Sequence, residues 1–237
     1  MKIKIKHAYV PALVLIVLIM CGYFLFQLSK SRTFQFFGGI TNRVNTDQKV
    51  VALTFDDAPS PQIRDVLDIL QAKQIKATFY EIGKAIEQYS GEAKAIVDAG
   101  MEVGNHSYSH QRFLFKSLSF IDSEVQRTNA LIRNTGYKGE ITFRPPYGKK
   151  LFGLPWYLHQ HDIKTIMCDV EPDTYVAGNS EAIIKYTLDH VRPGSIILLH
   201  PFCEVECAAD REALLQIIDG LQSKGYKFVT VSELLTY

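Results

Sequence analysis

The chain has 237 residues, 47% of them hydrophobic, which is enough for one sizeable core. Its 26 Lys and Arg nearly balance its 25 Asp and Glu, for a formal net charge of +1. A charge balance this even argues against a nucleic-acid-binding protein, which usually carries a basic excess.

The N-terminus predicts a membrane anchor. An apolar run extends from residue 8 to about residue 27, the length that crosses a bilayer as a helix, and it follows three lysines, Lys2, Lys4 and Lys6. The residues between Phe24 and Ser31 contain no small-residue cleavage site, so the pattern favours an uncleaved signal anchor over a cleaved signal peptide. The positive-inside tendency places the N-terminus in the cytoplasm and the rest of the chain outside. We expect residues 1–28 to be the basic tip and anchor, 29–47 a polar stalk or lead-in, and 48–237 one folded domain.

From Val50 onward, apolar runs of strand length alternate with amphipathic segments of helix length. The strands are predicted over 50–54, 77–82, 102–105, 142–144, 165–169, 195–199 and 227–231. The helices are predicted over 62–73, 85–99, 118–135, 154–161, 181–190 and 212–224. This alternation predicts an α/β protein with a parallel sheet, and about seven units favour a barrel over a small doubly wound sheet.

Titratable residues cluster where the predicted strands end, which is the edge where sites form in parallel α/β folds. The first strand ends in Asp56 and Asp57, and two adjacent carboxylates are costly unless a metal or an arginine lies beside them. A helix cap is the ordinary alternative. His106 and His110 are four residues apart, so they share one face if the segment is helical, as two imidazoles on one metal require.

Three further segments follow later strands. One is a stiff double-proline loop that can aim a backbone N–H, the second is an acidic loop, and the third is a fully apolar strand that ends in a histidine. Taken singly, each segment also has an ordinary explanation. The first could be a turn, the second a solvated loop and the third a buried histidine. In chain order their polar residues are Arg144 and Tyr147, then Asp169, Glu171 and Asp173, then His200.

Together, the Asp-Asp, His-x3-His, Arg-Pro-Pro-Tyr, acidic-loop and Leu-Leu-His motifs resemble the polysaccharide deacetylase family, also called the NodB-homology domain or carbohydrate esterase family 4. The resemblance covers about residues 48–237. It implies a distorted (β/α) barrel and a divalent metal, most often zinc, with cobalt or manganese as alternatives. The implied metal ligands are Asp57, His106 and His110.

The resemblance also implies roles for the other motif residues. Asp56 is the general base, Arg144 orients it, and the backbone N–H of Tyr147 binds the oxyanion. His200 is the general acid. By its spacing from Tyr175, Glu171 matches the acid that supports His200, with Asp169 and Asp173 as rivals.

Two positions depart from the family pattern. Ala58 replaces a glycine, which costs stability if that position needs a positive φ. Tyr175 stands where the family usually has tryptophan.

The implied activity is metal-dependent hydrolysis of N-acetyl groups from a polysaccharide that contains N-acetylglucosamine, with release of acetate. Peptidoglycan, chitin-like oligomers and exopolysaccharide all remain open as substrates. An O-acetyl esterase with the same site is one alternative, and an inactive, membrane-anchored sugar-binding protein is another. A glycosidase would leave the histidine pair unexplained.

Cys203 and Cys207 are four residues apart. In an oxidising compartment this spacing is compatible with a short disulfide loop, and a metal site is the rival interpretation. The sequence leaves the two open.

Overall fold

The computed structural model describes residues 4–176, 178–203 and 207–237. The strands are β1 (Ile40–Thr41), β2 (Val50–Ala58), β3 (Thr78–Glu81), β4 (Glu102–Asn105), β5 (Thr165–Ile166), β6 (Ile196–Leu199) and β7 (Lys227–Val229). The helices are α1 (Lys4–Ser29), α2 (Ile63–Ala72), α3 (Gly83–Gln88), α4 (Ser90–Asp98), α5 (Leu118–Asn134), α6 (Gly153–Gln160), α7 (Pro172–Val176), α8 (Ser180–His190), α9 (Ala208–Ser223) and α10 (Val231–Leu234).

The strands form a distorted barrel around β2. Strand β2 pairs in parallel with β3, β6 and β7, and β3 continues to β4. Single bridges close the rest of the ring: Phe143 joins Asn105 to Thr165, and Val170 joins Ile197. The predicted parallel α/β barrel is therefore confirmed, with its second half connected by isolated bridges.

Local sequence explains the regular half of the barrel. Strand β2 is buried from Val50 to Asp56, and all of β6 is buried, as the unbroken apolar runs predict for strands covered on both faces. Helix α2 buries Ile63, Val66, Leu67 and Leu70, an i, i+3, i+4, i+7 stripe against the core.

Several predicted elements differ from the structure in extent. The strand over 142–144 reduces to a bridge at Phe143, because two prolines follow Arg144 and proline cannot donate to a ladder. The strand over 165–169 ends at Ile166, and the Asp169 carboxylate then accepts from the Ile196 N–H at 2.9 Å. The helix over 85–99 is two helices that meet at Tyr89.

Helix α1 contains one candidate membrane span, Tyr9–Ser29, with mean hydropathy 2.4 and none of its window buried in the protein. Its length and composition suit a membrane span, and a signal sequence passes the same test. Lys2 lies outside the described residues, as do the side chains of Lys4 and Lys6, so the basic tip stays a prediction.

Of the two interpretations of segment 29–47, the contacts fit a lead-in to the domain better than a free stalk. Strand β1 pairs with β5, the Val44 N–H donates to the Gly194 carbonyl at 2.9 Å, and Arg43 bridges Ser195. The physical reason is that short β5 would otherwise leave its backbone groups unpaired at an open edge. The folded domain therefore begins well before residue 48.

The structure joins Cys203 and Cys207 in a disulfide, with their Cα atoms 5.2 Å apart. Cys168 is a buried free thiol, and Cys21 is an exposed free thiol on α1.

Candidate active site

The predicted site residues converge on one cleft at the carboxyl ends of the strands. Its volume is about 320 Å³. Among the residues that line it are Asp56, Asp57, His106, His110, Arg144, Tyr147, Glu171 and His200. Parallel strands bring these residues together because their carboxyl ends share one rim of the barrel.

Asp57, His106 and His110 form a compact group in this cleft. One potential ligand atom from each lies within 4.8 Å of the others. The Asp57 Oδ1 atom is 3.7 Å from His106 Nε2 and 3.3 Å from His110 Nε2. Two imidazoles and one carboxylate are a donor set typical of catalytic metal sites, which keep coordination positions open.

The surroundings of this group fit a divalent cation. Asp57 Oδ1 is buried, and no donor among the described residues reaches it in a hydrogen bond. His106 Nδ1 is 2.8 Å from the Arg144 carbonyl, which can only accept, so Nδ1 carries the proton and the Nε2 lone pair faces Asp57. Burial, and then the neighbouring His106, lowers the pKa of His110, which favours the neutral, ligating imidazole.

The histidines meet by a route that the sequence argument did not foresee. Residues 106–110 are not helical, and Ser107 and His110 adopt positive φ angles of 66° and 54°. The turn still brings the two rings to a centroid distance of 4.9 Å. Asp57 also has a positive φ, 65°, and such strained backbone is concentrated at functional sites.

Asp56 is buried beside the metal-ligand group and paired with Arg144. The Arg144 Nη1 atom donates to Asp56 Oδ1 and to Thr54 Oγ1, both at 2.8 Å. Burial by itself raises the pKa of Asp56, but the charge and hydrogen bond of Arg144, together with nearby imidazoles, bring it below its ordinary value. Asp56 is therefore an ionised carboxylate with a fixed orientation.

His200 is paired with Asp173, and the expectation that Glu171 supports it is wrong. Asp173 Oδ2 accepts from His200 Nδ1 at 2.6 Å and from the His200 backbone N–H at 2.9 Å. Burial lowers the pKa of His200, but Asp173, and then Asp56 and Asp57, outweigh it and raise the pKa to about 10. The short helix α7 decides the outcome, because it turns Asp173 inward toward the end of β6.

Glu171 has a different partner, Arg32, which the sequence argument missed. The Arg32 guanidinium lines the cleft and donates to Glu171 Oε2 at 2.6 Å, while Thr174 Oγ1 donates to Oε1 at 2.9 Å. A Cβ on Gly148 would lie 2.2 Å from Arg32 Nη1, so this guanidinium also packs against the loop after Tyr147. No sequence signal indicated this role, since Arg32 lies in the segment expected to be a stalk or lead-in.

Asp210, at the start of α9, is a second residue that the motifs did not indicate. It is 5% exposed, and its carboxyl lies within hydrogen-bonding reach of Asp173. Burial, and then the charge of Asp173, raises the pKa of Asp210 to about 7. The Oδ1 atoms of Asp173 and Asp210 both lack a hydrogen-bond partner among the described residues.

The two departures from the family pattern have structural explanations. The positive φ lies at Asp57 and not at Ala58, so the alanine carries no backbone strain. Tyr175 is 67% exposed and stacks on Tyr186 at 5.5 Å, outside the set of cleft-lining residues. Tyr147 itself lies in the cleft, with its ring 4.7 Å from that of His110.

Comparison with known proteins agrees with this geometry. Residues 43–166 match the polysaccharide deacetylase family model. A bifunctional xylanase/deacetylase of Pseudobutyrivibrio xylanivorans is 35% identical over 83% of this chain and 32% of its own length. A peptidoglycan-N-acetylglucosamine deacetylase of Bacillus cereus is 30% identical over 84% of this chain and 94% of its own length. The chain thus spans about a third of the first relative and nearly all of the second.

Among solved structures, one similar chain is a mutant, with restored enzymatic activity, of a CE4 family pseudoenzyme from Bacillus anthracis. It has a TM-score of 0.76 and 32% sequence identity, covering 83% of this chain and 71% of that chain. The sequence match, the shared fold and the motif residues gathered in one cleft lead to the same assignment, and the chain belongs to the polysaccharide deacetylase family, carbohydrate esterase family 4.

Proposed function

We propose that this protein is a metal-dependent deacetylase that removes N-acetyl groups from a polysaccharide containing N-acetylglucosamine, and that Tyr9–Ser29 anchors it in the cell membrane with the catalytic domain outside. The observation that carries the proposal is the placement of a carboxylate and a protonated histidine around one metal-ligand group. Asp56 lies on one side, and His200, supported by Asp173, lines the same cleft.

Asp57, His106 and His110 would bind the metal, and zinc is the proposed ion because two imidazoles and a carboxylate suit it, although such a set also accepts other divalent ions. When bound, a divalent cation lowers the pKa of water and polarises a carbonyl oxygen.

Asp56 acts as the general base. It is ionised, it is fixed by Arg144, and its Oδ2 atom is 3.6 Å from His106 Nε2, so it lies beside the ligand group with one oxygen directed there. It accepts a proton from the attacking water while the acetyl carbonyl becomes a tetrahedral oxyanion. The backbone N–H of Tyr147 donates to that oxyanion.

His200 acts as the general acid. Its raised pKa leaves the imidazolium populated at neutral pH, and Nδ1 donates to Asp173, so Nε2 is the atom that gives its proton to the leaving amine. The products are acetate and the free amino group of the sugar.

Fold similarity does not establish catalysis, because a solved relative is a pseudoenzyme. The chemistry of the cleft residues argues against an inactive sugar-binding protein. A binding protein has no need of an ionised base, a metal-ligand group and a protonated acid in one cleft.

The test uses the full chain in detergent. The protein is stripped of metal with a chelator, then given zinc, cobalt or buffer alone, and incubated with N-acetylglucosamine oligomers, peptidoglycan fragments and O-acetylated xylan. Acetyl loss is followed by mass spectrometry. Metal-dependent loss from an amide substrate supports the proposal. Loss only from the ester substrate indicates an O-acetyl esterase, and no loss with metal bound overturns both.

A further inference from the structure

The end of the anchor helix is fixed to the catalytic domain. Ser29 is 1% exposed, and its carbonyl accepts from the Lys150 N–H at 2.8 Å. The Lys150 Nζ atom donates to the Ser31 carbonyl, and Arg32 binds Glu171. Contacts at three of four consecutive residues leave no flexible linker, so the domain has a defined orientation relative to α1.

An aromatic surface lies directly beyond this junction. It is built from six side chains that are 38% to 89% exposed: Phe34, Phe36, Phe37, Phe115, Phe152 and Trp156. Large apolar side chains that cluster on a surface mark a contact with a partner or a membrane, whereas isolated ones are ordinary.

Ring contacts join three members of the aromatic surface directly. The Phe36 ring is 5.2 Å from Phe34 and 4.5 Å from Phe152, centroid to centroid. Phe152 directly precedes α6, and the Trp156 N–H donates to its carbonyl at 3.0 Å, so Trp156 lies one helical turn beyond it. A Cβ on Gly153 would lie 3.5 Å from the Lys116 carbonyl, which places the loop carrying Phe115 beside the start of α6.

Cations cluster at the junction where α1 ends. The ammonium groups of Lys30 and Lys149 lie 5.3 and 4.3 Å from the centre of the Phe26 ring, in the last turns of α1. The Arg112 guanidinium is 4.8 Å from the Tyr147 ring. Burial, and then the charges of Lys30, Arg112 and Arg32, lowers the pKa of Lys149, so these cations lie close enough to repel one another.

Chain length limits how far Phe34 can be from the end of the candidate span. Phe34 follows Ser29 by five residues, which span at most about 18 Å when fully extended. The polar region on each side of a bilayer is roughly 5–8 Å thick. Aromatic side chains and lysines at the end of a span are the residues that membrane interfaces select.

We propose that the aromatic surface, together with Lys30 and Lys149, binds the headgroup region of the membrane that α1 crosses, on the side of the catalytic domain. The inference rests on the proposed anchor. A bilayer containing anionic phospholipid is the expected occupant because the surface is continuous with the end of the span and its neighbouring charges are positive.

The proposed contact with the membrane places the opening of the cleft near the bilayer. Lys149 directly follows Gly148, which lines the cleft with Arg32. The cleft rim and the membrane-binding cations thus belong to one short loop, and the enzyme acts on polymer close to the bilayer surface.

Trp156 provides the test, because it is the only tryptophan in the chain. The full chain is reconstituted into vesicles of phosphatidylcholine and phosphatidylglycerol, with or without bromine on the upper acyl chain. In the vesicles, Trp156 emission is expected to be blue-shifted relative to that of the unfolded protein in denaturant without detergent. It is also expected to be quenched by the brominated lipid. Unquenched emission overturns the proposal if the anchor is inserted.

Two variants in a Trp156→Phe background distinguish a wrong docking surface from an anchor that does not insert. Tyr23→Trp reports the anchor, because Tyr23 lies within the candidate span. Leu215→Trp reports a distant surface, because Leu215 is exposed on α9. Quenching of the first and of native Trp156, but not of the second, is the expected pattern. If only the Tyr23→Trp variant is quenched, the anchor stands and the docking surface is wrong. If none is quenched, the anchor itself fails.

The cations are tested separately. Lys30→Glu with Lys149→Glu is expected to reduce the quenching of Trp156 in vesicles containing phosphatidylglycerol. Lys94→Glu with Lys185→Glu is the matched control, since both lysines are exposed and pair with acids one helical turn away. Equal quenching in the two double variants contradicts the assignment of Lys30 and Lys149.

Discussion

Asp173 accepts two hydrogen bonds from His200 through one oxygen: the imidazole Nδ1 lies 2.6 Å from Oδ2, and the backbone N lies 2.9 Å from it. The backbone contact fixes the carboxylate, and the side-chain contact fixes the tautomer and favours the charged imidazole. One acidic residue therefore determines both the orientation and the protonation of the proposed general acid.

Asp173→Asn should shift the alkaline limb of the pH–rate profile. His200 is active when protonated, so activity falls as the pH rises through its pKa, which Asp173 helps raise to about 10. Removing a hydrogen bond to a charged group costs about 1.5–3 kcal/mol, so the limb should move down by about 1–2 pH units. The measurement is kcat/KM against pH. Glu171→Gln is the control, and an alkaline limb that moves equally in both variants argues against the pairing.

Asp210→Asn should change how stability depends on pH. In the folded protein the pKa of Asp210 is raised to about 7, above its ordinary value of 3.8. The folded state therefore binds the proton more tightly, and stability is lost as the pH rises from about 4 to about 7. Asparagine does not titrate, so the variant does not lose this stability. When the pH is raised from 5 to 8, its free energy of unfolding should increase by about 2 kcal/mol relative to that of the native chain. Thermal unfolding of both proteins at pH 5 and pH 8 measures this difference. The same change of stability with pH in both proteins would contradict the prediction.

The adjacent residues Asp56 and Asp57 should give different phenotypes when each is changed to Asn. Asp56→Asn removes the proposed base, so turnover should fall by about 10²–10⁴-fold while metal content is unchanged. Asp57→Asn should reduce the bound metal itself. His200→Ala should resemble Asp56→Asn. The measurements are turnover and metal content by mass spectrometry, and near-normal turnover in Asp56→Asn with metal present would remove the role assigned to it.

Arg32→Met should weaken substrate turnover without loss of metal. Arg32 pairs with Glu171 on the cleft wall, and its side chain is 34% exposed, so solvent screening limits the value of the pair. We expect kcat/KM to fall by about twofold to fivefold. Arg127→Met is the matched control, because Arg127 forms an exposed pair with Glu87. An equal, small effect of both substitutions would mean that Arg32 is not part of the functional cleft.

The local pattern of the sequence was sufficient for the regular elements and for most of the site. An apolar strand followed at once by polar residues is a local feature, and it placed Asp56, Asp57, His106, Arg144 and His200 at strand ends. Because parallel strands end at one rim, their order along the chain was enough to predict that they meet.

Only the tertiary structure decided which acidic residue faces His200, because Asp169, Glu171 and Asp173 occur on one short loop and helix α7 selects among them. The Arg32–Glu171 pair joins residues 139 positions apart, and Asp210 reaches Asp173 from a different helix. Such contacts depend on how elements pack and leave no trace in periodicity. The sequence left residues 29–47 as either a stalk or a lead-in for the same reason: they are polar and irregular, and only the edge of β5 gives them a place in the fold.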